Sequence, residues 1–317
     1  MRGKIDCYGL TDAGKVRTVN EDQFLVADLN KSMLIHQTSL THEDHTRLFG
    51  GSQGQLFLVA DGMGGHAEGK RASTIAVQSM SHYLLNTMHW FFRLEENREE
   101  DLEEELKAAL EMCQESIQNA AESGAFEPRK MGTTLTMAYM LWPRLYVLHA
   151  GDSRCYLLRD SRLEQITTDH TVAQQLVDSG ALSPEEAQES RWSKVLWNCV
   201  GGDSNDLKVD VYKATLQIGD TLLLCTDGLN KPVRDEEILK TLRQKQTAKE
   251  LCRQLVDAAN AHGGPDNITV VVAHFHDSRQ PASQMQEQAA AQEPNKVKER
   301  SHLAKTEPIM VAASDPG

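Results

Sequence analysis

Several things are scarce in this 317-residue chain, and each scarcity excludes something. No stretch holds the roughly 18 consecutive apolar residues of a membrane helix, so no membrane span is expected. The opening residues, Met1 to Gly9, lack the apolar core of a secretory leader, which points to a cytoplasmic protein. No CxxC pair occurs among Cys7, Cys113, Cys155, Cys199, Cys225 and Cys252. That removes zinc-ribbon and dithiol readings and leaves six reduced, mostly buried thiols. No cysteine is followed six residues later by arginine, so a thiol-phosphate intermediate on a Cys-x₅-Arg loop is not expected. Basic residues are also short: 33 Lys and Arg stand against 46 Asp and Glu, a formal charge of −13. A nucleic-acid partner would call for a basic footprint instead.

What is present is ordinary for a folded protein. Apolar residues make up 40% and charged residues 25% of the chain, as in globular proteins. The length allows one large domain or two smaller ones. Strand patterns are expected at Lys4–Leu10 and Gln23–Leu29, and Leu56–Ala60 is a continuous apolar run that delivers Asp61 at its end. Residues 30–55 between them are irregular and read as an inserted surface loop or hairpin. Two long helices follow, at about Glu68–Phe92 and Arg98–Ala121. In the second, Leu102, Leu106, Leu110, Cys113 and Ile117 share one face. The run Glu95–Glu105 is dense in acid and reads as a solvated helix face.

After Gly132 short strands return at Thr133–Leu141, Arg144–Ala150, Arg154–Arg159 and Arg162–Thr167. Asp169–Gly202 reads as mostly helical, with Ser183 as an N-cap ahead of Pro184. Trp192 and Trp197 within it are read as core, the alternative being contact with a substrate. Strands at Leu207–Thr215 and Thr221–Cys225, helices at about Asp235–Arg243 and Thr247–Ala261, and a last strand at Ile268–Phe275 complete the pattern. From 277 to 317 Gln, Ala, Ser, Pro and Lys dominate, the composition of a disordered tail. The expected organisation is one α+β domain over 1–276 and a low-complexity tail over 277–317.

The acids of interest sit beside glycine or asparagine, most of them at the end of an apolar run. They are Glu21 and Asp22 in Arg17-Thr-Val-Asn-Glu-Asp22, Asp61 in Asp61-Gly-Met-Gly-Gly-His66, Asp152 in Gly151-Asp-Ser-Arg154, Asp227 in Thr226-Asp-Gly228 and Asp266 in Pro265-Asp-Asn267. One such acid is a turn former. Several converging acids make an all-oxygen site suited to Mg²⁺ or Mn²⁺. No neighbouring Lys or Arg is expected to neutralise them as a structural ion pair. His42 and His45 have HxxH spacing without cysteine and, with His36, are read as surface residues. His274 and His276 on the last strand are read as half-buried structure.

These motifs, together with Met131-Gly-Thr-Thr134, stand in the order and context of the metal-dependent protein phosphatases (PPM, or type 2C), and over about residues 3–275 the chain resembles the bacterial branch of that family. The resemblance implies a four-layer α/β/β/α sandwich, two antiparallel sheets packed face to face with helices outside. It implies Asp61 as a carboxylate bridging two Mn²⁺ or Mg²⁺ ions, with Asp227 and Asp266 completing the first ion's ligands. Glu21 and the Gly62 carbonyl belong to the second, and Asp22 holds its waters. Asp152, with Asp227, resembles the ligands of a third, weaker ion. Arg17 resembles the phosphate-binding arginine, and Asn267 the residue that orients the neighbouring ligand.

The implied reaction is hydrolysis of phosphoserine or phosphothreonine by water activated between two metals. No protein nucleophile is needed. Arg17 and Asp61 carry the chemistry, and Arg suits phosphate because its planar fork donates twice. Met63 stands where animal relatives carry a histidine assigned as general acid. His66, three residues on, is read as a packing or capping residue. Expected partners are phosphorylated proteins, the targets of Ser/Thr kinases, with no nucleic acid or membrane, met by a monomer. The alternatives are a hydrolase of small phosphate esters and a non-catalytic binding module on the same fold.

Overall fold

The computed structural model describes residues 4–34, 47–65, 67–86, 99–123, 131–202 and 206–276. In chain order the elements are β1 (Lys4–Asp12), β2 (Gln23–Leu34), β3 (Arg47–Ala60), β4 (Gly62–Met63), α1 (Ala67–Asn86) and α2 (Glu99–Glu122). Then come β5 (Gly132–Thr133), β6 (Leu135–Leu141), β7 (Arg144–Ala150), β8 (Arg154–Arg159), β9 (Arg162–Gln165), α3 (Val172–Asp178) and α4 (Pro184–Glu189). The last are β10 (Val200–Gly201), β11 (Asp210–Thr215), β12 (Thr221–Cys225), α5 (Asp227–Asn230), α6 (Asp235–Leu242), α7 (Ala248–Ala261) and β13 (Ile268–His276).

Two five-stranded antiparallel sheets form the centre, ordered β1-β13-β12-β8-β9 and β11-β7-β6-β3-β2. A small third sheet, β10-β5-β4, lies at the junction that carries Gly62. Period-two alternation assigns each strand's residues to two different cores. On β3, Phe57 and Val59 point between the sheets, where they meet Leu222, Leu224, Val271 and Phe275. Leu56, Leu58 and Ala60 point the other way, into a core with α1 and α2. On the other sheet, Leu223, Cys225, Val270 and Val272 face a third core built with α6 and α7. Three cores between four layers give the expected α/β/β/α sandwich. They also explain why the strands read as unbroken apolar runs: both faces are buried.

The apolar face of α2 is as expected, with Leu102, Leu106, Leu110, Cys113 and Ile117 all buried. Its acidic face is less idle than the charge pattern suggested. Glu103 pairs with Lys213 on β11, and Glu105 accepts a 2.9 Å hydrogen bond from the Tyr83 hydroxyl on α1. The part of the acidic run before Glu99 lies outside the described residues, as do 87–92 of the first expected helix.

The segment 30–55 differs from an irregular loop. Strands β2 and β3 run on together through Ser32↔Phe49 to Leu34↔Arg47, with register shifts near Asn30. It is a hairpin extension of the sheet; only 35–46 lie outside the described residues. Asp169–Gly202 is less helical than expected, holding two short helices, a 3-10 turn at Arg191–Lys194 and β10. Ser183 caps α4 as expected, in a full capping box with Glu186. Four of the six cysteines are buried. No helix among the described residues is long and apolar enough to cross a membrane. His36, His42, His45, His66 and residues 277–317 lie outside the described residues.

Candidate metal centre

The two sheets end together at one edge, and the acids gather there because each closes or opens a strand. Asp61 follows β3, Asp152 follows β7, Asp227 follows β12, Asp266 precedes β13, and Glu21 and Asp22 precede β2. Backbone hydrogen bonds fix these ends. The Asp61 carbonyl accepts from the Thr134 N–H at 2.9 Å and the Thr133 hydroxyl at 2.8 Å. The Asp61 N–H donates to Thr134 Oγ1 at 3.0 Å, and Thr134 Oγ1 lies 2.6 Å from Ser153 Oγ. Thr133 and Thr134 thus tie Asp61 to the loop carrying Asp152, a role the Met131-Gly-Thr-Thr134 motif concealed.

Asn267 ties the opposite side. Its Oδ1 accepts from the Glu21 N–H at 2.9 Å, and its Nδ2 donates to the carbonyls of Ala13 and Val19, both at 3.0 Å. Its own N–H donates to Asp266 Oδ1 at 2.9 Å. Asn267 is therefore bonded to both Glu21 and Asp266. Glycine is required where α1 crosses this edge. Glu21 Oε2 lies 2.1 Å, and the Gly62 carbonyl oxygen 2.8 Å, from the place a Cβ on Gly69 would occupy. The carboxylate and the carbonyl thus meet at one point, which only glycine leaves open. The Ser73 hydroxyl holds the Glu21 carbonyl from the same helix.

Asp22 is 2% exposed. Its Oδ2 accepts from the hydroxyls of Thr226 at 2.8 Å and Thr269 at 2.6 Å, whereas its Oδ1 is buried without a partner. Burial raises its pKa to about 7, against the pull of those two hydroxyls, with Asp227 and Asp266 adding to the rise. Burial likewise raises Asp61 well above the usual carboxylate range, and after it the nearby charges of Asp22, Asp227, Asp152 and Asp266. Asp61 takes no hydrogen bond or ion pair on its carboxylate among the described residues. Burial also lifts Asp152 to about 6, helped by Asp227 and opposed by Lys231.

Two cations meet the acids, contrary to the expectation that none would. Arg17 Nη2 is 2.8 Å from Asp266 Oδ2. Lys231 Nζ is 3.0 Å from Asp152 Oδ2 and pairs also with Asp227 Oδ2. Lys231 is four residues past Asp227, so one helical turn brings them together. Arg17 remains 56% exposed, open to a further anion.

Among the described residues no three His, Cys, Asp or Glu side chains close on a common point tightly enough to form a finished cation cage. The donor chemistry nonetheless fits hard divalent ions. Every donor is oxygen, and two of the buried carboxylate oxygens, Asp22 Oδ1 and Asp227 Oδ1, have no partner. Buried acids held this close repel one another unless cations join them.

The segment beside the site is anchored by residues that single-sequence reading passed over. Arg154 of Gly151-Asp-Ser-Arg154 grips Asp169 with Nε at 2.8 Å and Nη2 at 2.7 Å. His170 Nδ1 accepts the Gly151 N–H at 3.2 Å, so its Nε2 carries the proton donated to Asp210 at 3.0 Å. Trp192 and Trp197 are not core: they are 37% and 36% exposed. Trp197 packs its ring 4.8 Å from that of His170, and Trp192 lies 4.5 Å under the Arg191 guanidinium. In a flap of four-residue turns and six- or seven-residue helices there is no deep layer to receive them. His274 and His276 are half-buried, as expected.

Residues 36–272 match the protein family described as protein phosphatase 2C. The chain belongs to that family. This phosphatase 2C chain is 39% identical over 223 residues to the serine/threonine protein phosphatase PstP of Mycobacterium tuberculosis, spanning 70% of this chain and 41% of PstP. It is 34% identical over 232 residues to the serine/threonine phosphatase stp of Listeria monocytogenes, covering 73% of this chain and 89% of stp. Among solved structures, M. tuberculosis PstP superposes with a TM-score of 0.68 at 33% identity, over 86% of this chain and 99% of that one. The PstP catalytic domain in complex with two manganese ions superposes at 0.66, again at 33% identity. The two-sheet phosphatase 2C fold is therefore the fold of this chain.

Proposed function

We propose that this protein is a metal-dependent serine/threonine protein phosphatase that hydrolyses phosphoserine and phosphothreonine. The carrying observation is Asp61. It stands among five other carboxylates at one sheet edge, has no hydrogen-bond or ion-pair partner for its own carboxylate among the described residues, and is lifted well above its usual pKa by burial. A carboxylate kept in that setting is a ligand awaiting cations. Asp61, Asp227 and Asp266 would hold one Mn²⁺ or Mg²⁺, and Asp61, Glu21 and the Gly62 carbonyl a second, with Asp22 holding its waters. When bound, such a pair lowers the pKa of water and offsets charge on the phosphoryl oxygens.

The chain's own residues do the rest. Arg17, at the open rim, turns a guanidinium toward a phosphate and orients it by two parallel donors. Asn267 keeps Glu21 and Asp266 aimed, and Thr133 and Thr134 hold the Asp61 backbone. Met63 offers no proton to a leaving group. The substrates are phosphorylated proteins, targets of Ser/Thr kinases, met by a cytoplasmic monomer. Residues 1–276 form the phosphatase domain, and 277–317 either tether a partner or are inert; peptide hydrolysis unchanged by truncation after His276 would favour the inert tail.

The test is hydrolysis of a phosphothreonine peptide and of p-nitrophenyl phosphate with Mn²⁺, with and without chelator. Turnover of the peptide that is lost on chelation and restored by Mn²⁺ is expected. Peptide turnover that survives chelation overturns the reading. Turnover of the small ester alone favours a small-molecule hydrolase.

A further inference from the structure

Among the described residues, Lys231 is the one cation at the acid cluster that neither the motifs nor the proposed reaction uses. It caps α5, and its N–H donates to the Asp227 carbonyl at 3.0 Å, which fixes its Cα one turn above that acid. From there its side chain reaches both Asp227 Oδ2 and Asp152 Oδ2. These two carboxylates come from loops after different strands, and their side chains are only 15% and 6% exposed. One ammonium therefore joins two buried acids that would otherwise face each other as bare charges.

The same contact divides the work of Asp227. Its Oδ2 is taken by the lysine, while its Oδ1 is buried without a partner. Oδ1 is free for an ion on the Asp61 side, and Oδ2 is not. A Mn²⁺ or Mg²⁺ ion needs its oxygens at about 2.0–2.2 Å in near-octahedral order. It cannot share the Asp152 and Asp227 Oδ2 atoms with an ammonium already hydrogen-bonded to both.

We propose that Lys231 is a built-in cation at the Asp152–Asp227 pair, excluding a divalent ion there and limiting the site to the two ions around Asp61. This rests on the metal-dependent reading above. Lys231 is a positioning residue: it holds Asp152 and Asp227 in place and sets the metal complement, and it does not touch the reacting atoms.

The measurement is Mn²⁺ stoichiometry of the full chain, by equilibrium binding with electron paramagnetic resonance detection of free Mn²⁺, alongside thermal unfolding in chelator. The wild type is expected to bind two ions. Lys231→Met, which keeps the aliphatic stem, is expected to bind a third, weaker ion and to melt lower in chelator, with Mn²⁺ restoring the loss. Lys231→Arg, which keeps a cation, is expected to stay at two. Asp152→Asn in the wild-type background is expected to keep two ions bound, because Asp152 serves the lysine and not a metal; this arm stands even if Lys231→Met fails to fold. Three ions on the wild type, two on Lys231→Met, or an ion lost in Asp152→Asn overturns the proposal. A wild type that binds no Mn²⁺ overturns the metal-dependent reading itself.

Discussion

Asp22 offers a direct thermodynamic handle on the acid cluster. In metal-free protein its carboxyl is carried from 3.8 up to about 7, chiefly by burial. A folded-state pKa above the unfolded one means the native state binds the proton first. Wild-type stability is therefore depressed above pH 7 and recovers as pH falls toward 4. The size is about 4 kcal/mol, at 1.36 kcal/mol per pH unit over roughly three units. Asp22→Asn keeps an oxygen for the hydroxyls of Thr226 and Thr269. Its amide N–H falls where Oδ1 now has no partner, a fixed cost of about 1–3 kcal/mol. That cost does not depend on pH, whereas the charge effect does. The stability of Asp22→Asn minus that of wild type should therefore rise by about 4 kcal/mol from pH 4 to pH 8. Urea unfolding in chelator at several pH values reads it. Saturating Mn²⁺ should reverse the order, since an ion at 100 times its Kd adds about 2.7 kcal/mol to whichever chain binds it. A difference that stays flat with pH, or that ignores Mn²⁺, refutes the reasoning.

Other outcomes follow from the same geometry. Asp61→Asn and Asp227→Asn should abolish Mn²⁺-dependent hydrolysis with circular dichroism unchanged; near wild-type turnover in either would sink the assignment. Thr134→Val removes the acceptor for the Asp61 N–H and the Ser153 contact, and should cost about 1–3 kcal/mol in urea unfolding together with a fall in kcat. Arg17→Lys, at an exposed position, should raise KM for a phosphothreonine peptide and leave stability within about 0.5 kcal/mol of wild type. His149 is driven down to about 4, first by burial and then by His170, so its effect on stability has the opposite sign to that of Asp22. It should remove about 3 kcal/mol as pH falls from 6.5 to 4, a loss that His149→Gln should abolish.

How much of this was legible depended on what each residue had to satisfy. Strands β7, β8 and β12 could be bounded from sequence because both their faces are buried and sharp turns end them. The β2–β3 extension was not, because Gly50, Gly51, Ser52 and Gly54 break the apolar alternation while the backbone ladder continues. The acids stood out because each sits at a strand end beside glycine or asparagine, and the fold brings those ends to one edge. Lys231 stayed hidden because α5 is four residues long, too short for a periodic signal, so its one-turn pairing with Asp227 could not be anticipated. Thr134 was hidden for a different reason: it holds a backbone, and a hydroxyl between two strands has no pattern that announces its partner. Nothing in the sequence shows that the flap is too thin to bury Trp192 and Trp197.

The most direct measurement is the anomalous diffraction of crystals grown with Mn²⁺. The account predicts two peaks flanking the Asp61 carboxylate, one reached also by Asp227 and Asp266 and the other by Glu21 and the Gly62 carbonyl. Peaks that avoid Asp61, or no ordered Mn²⁺ at this edge at saturating concentration, would contradict it.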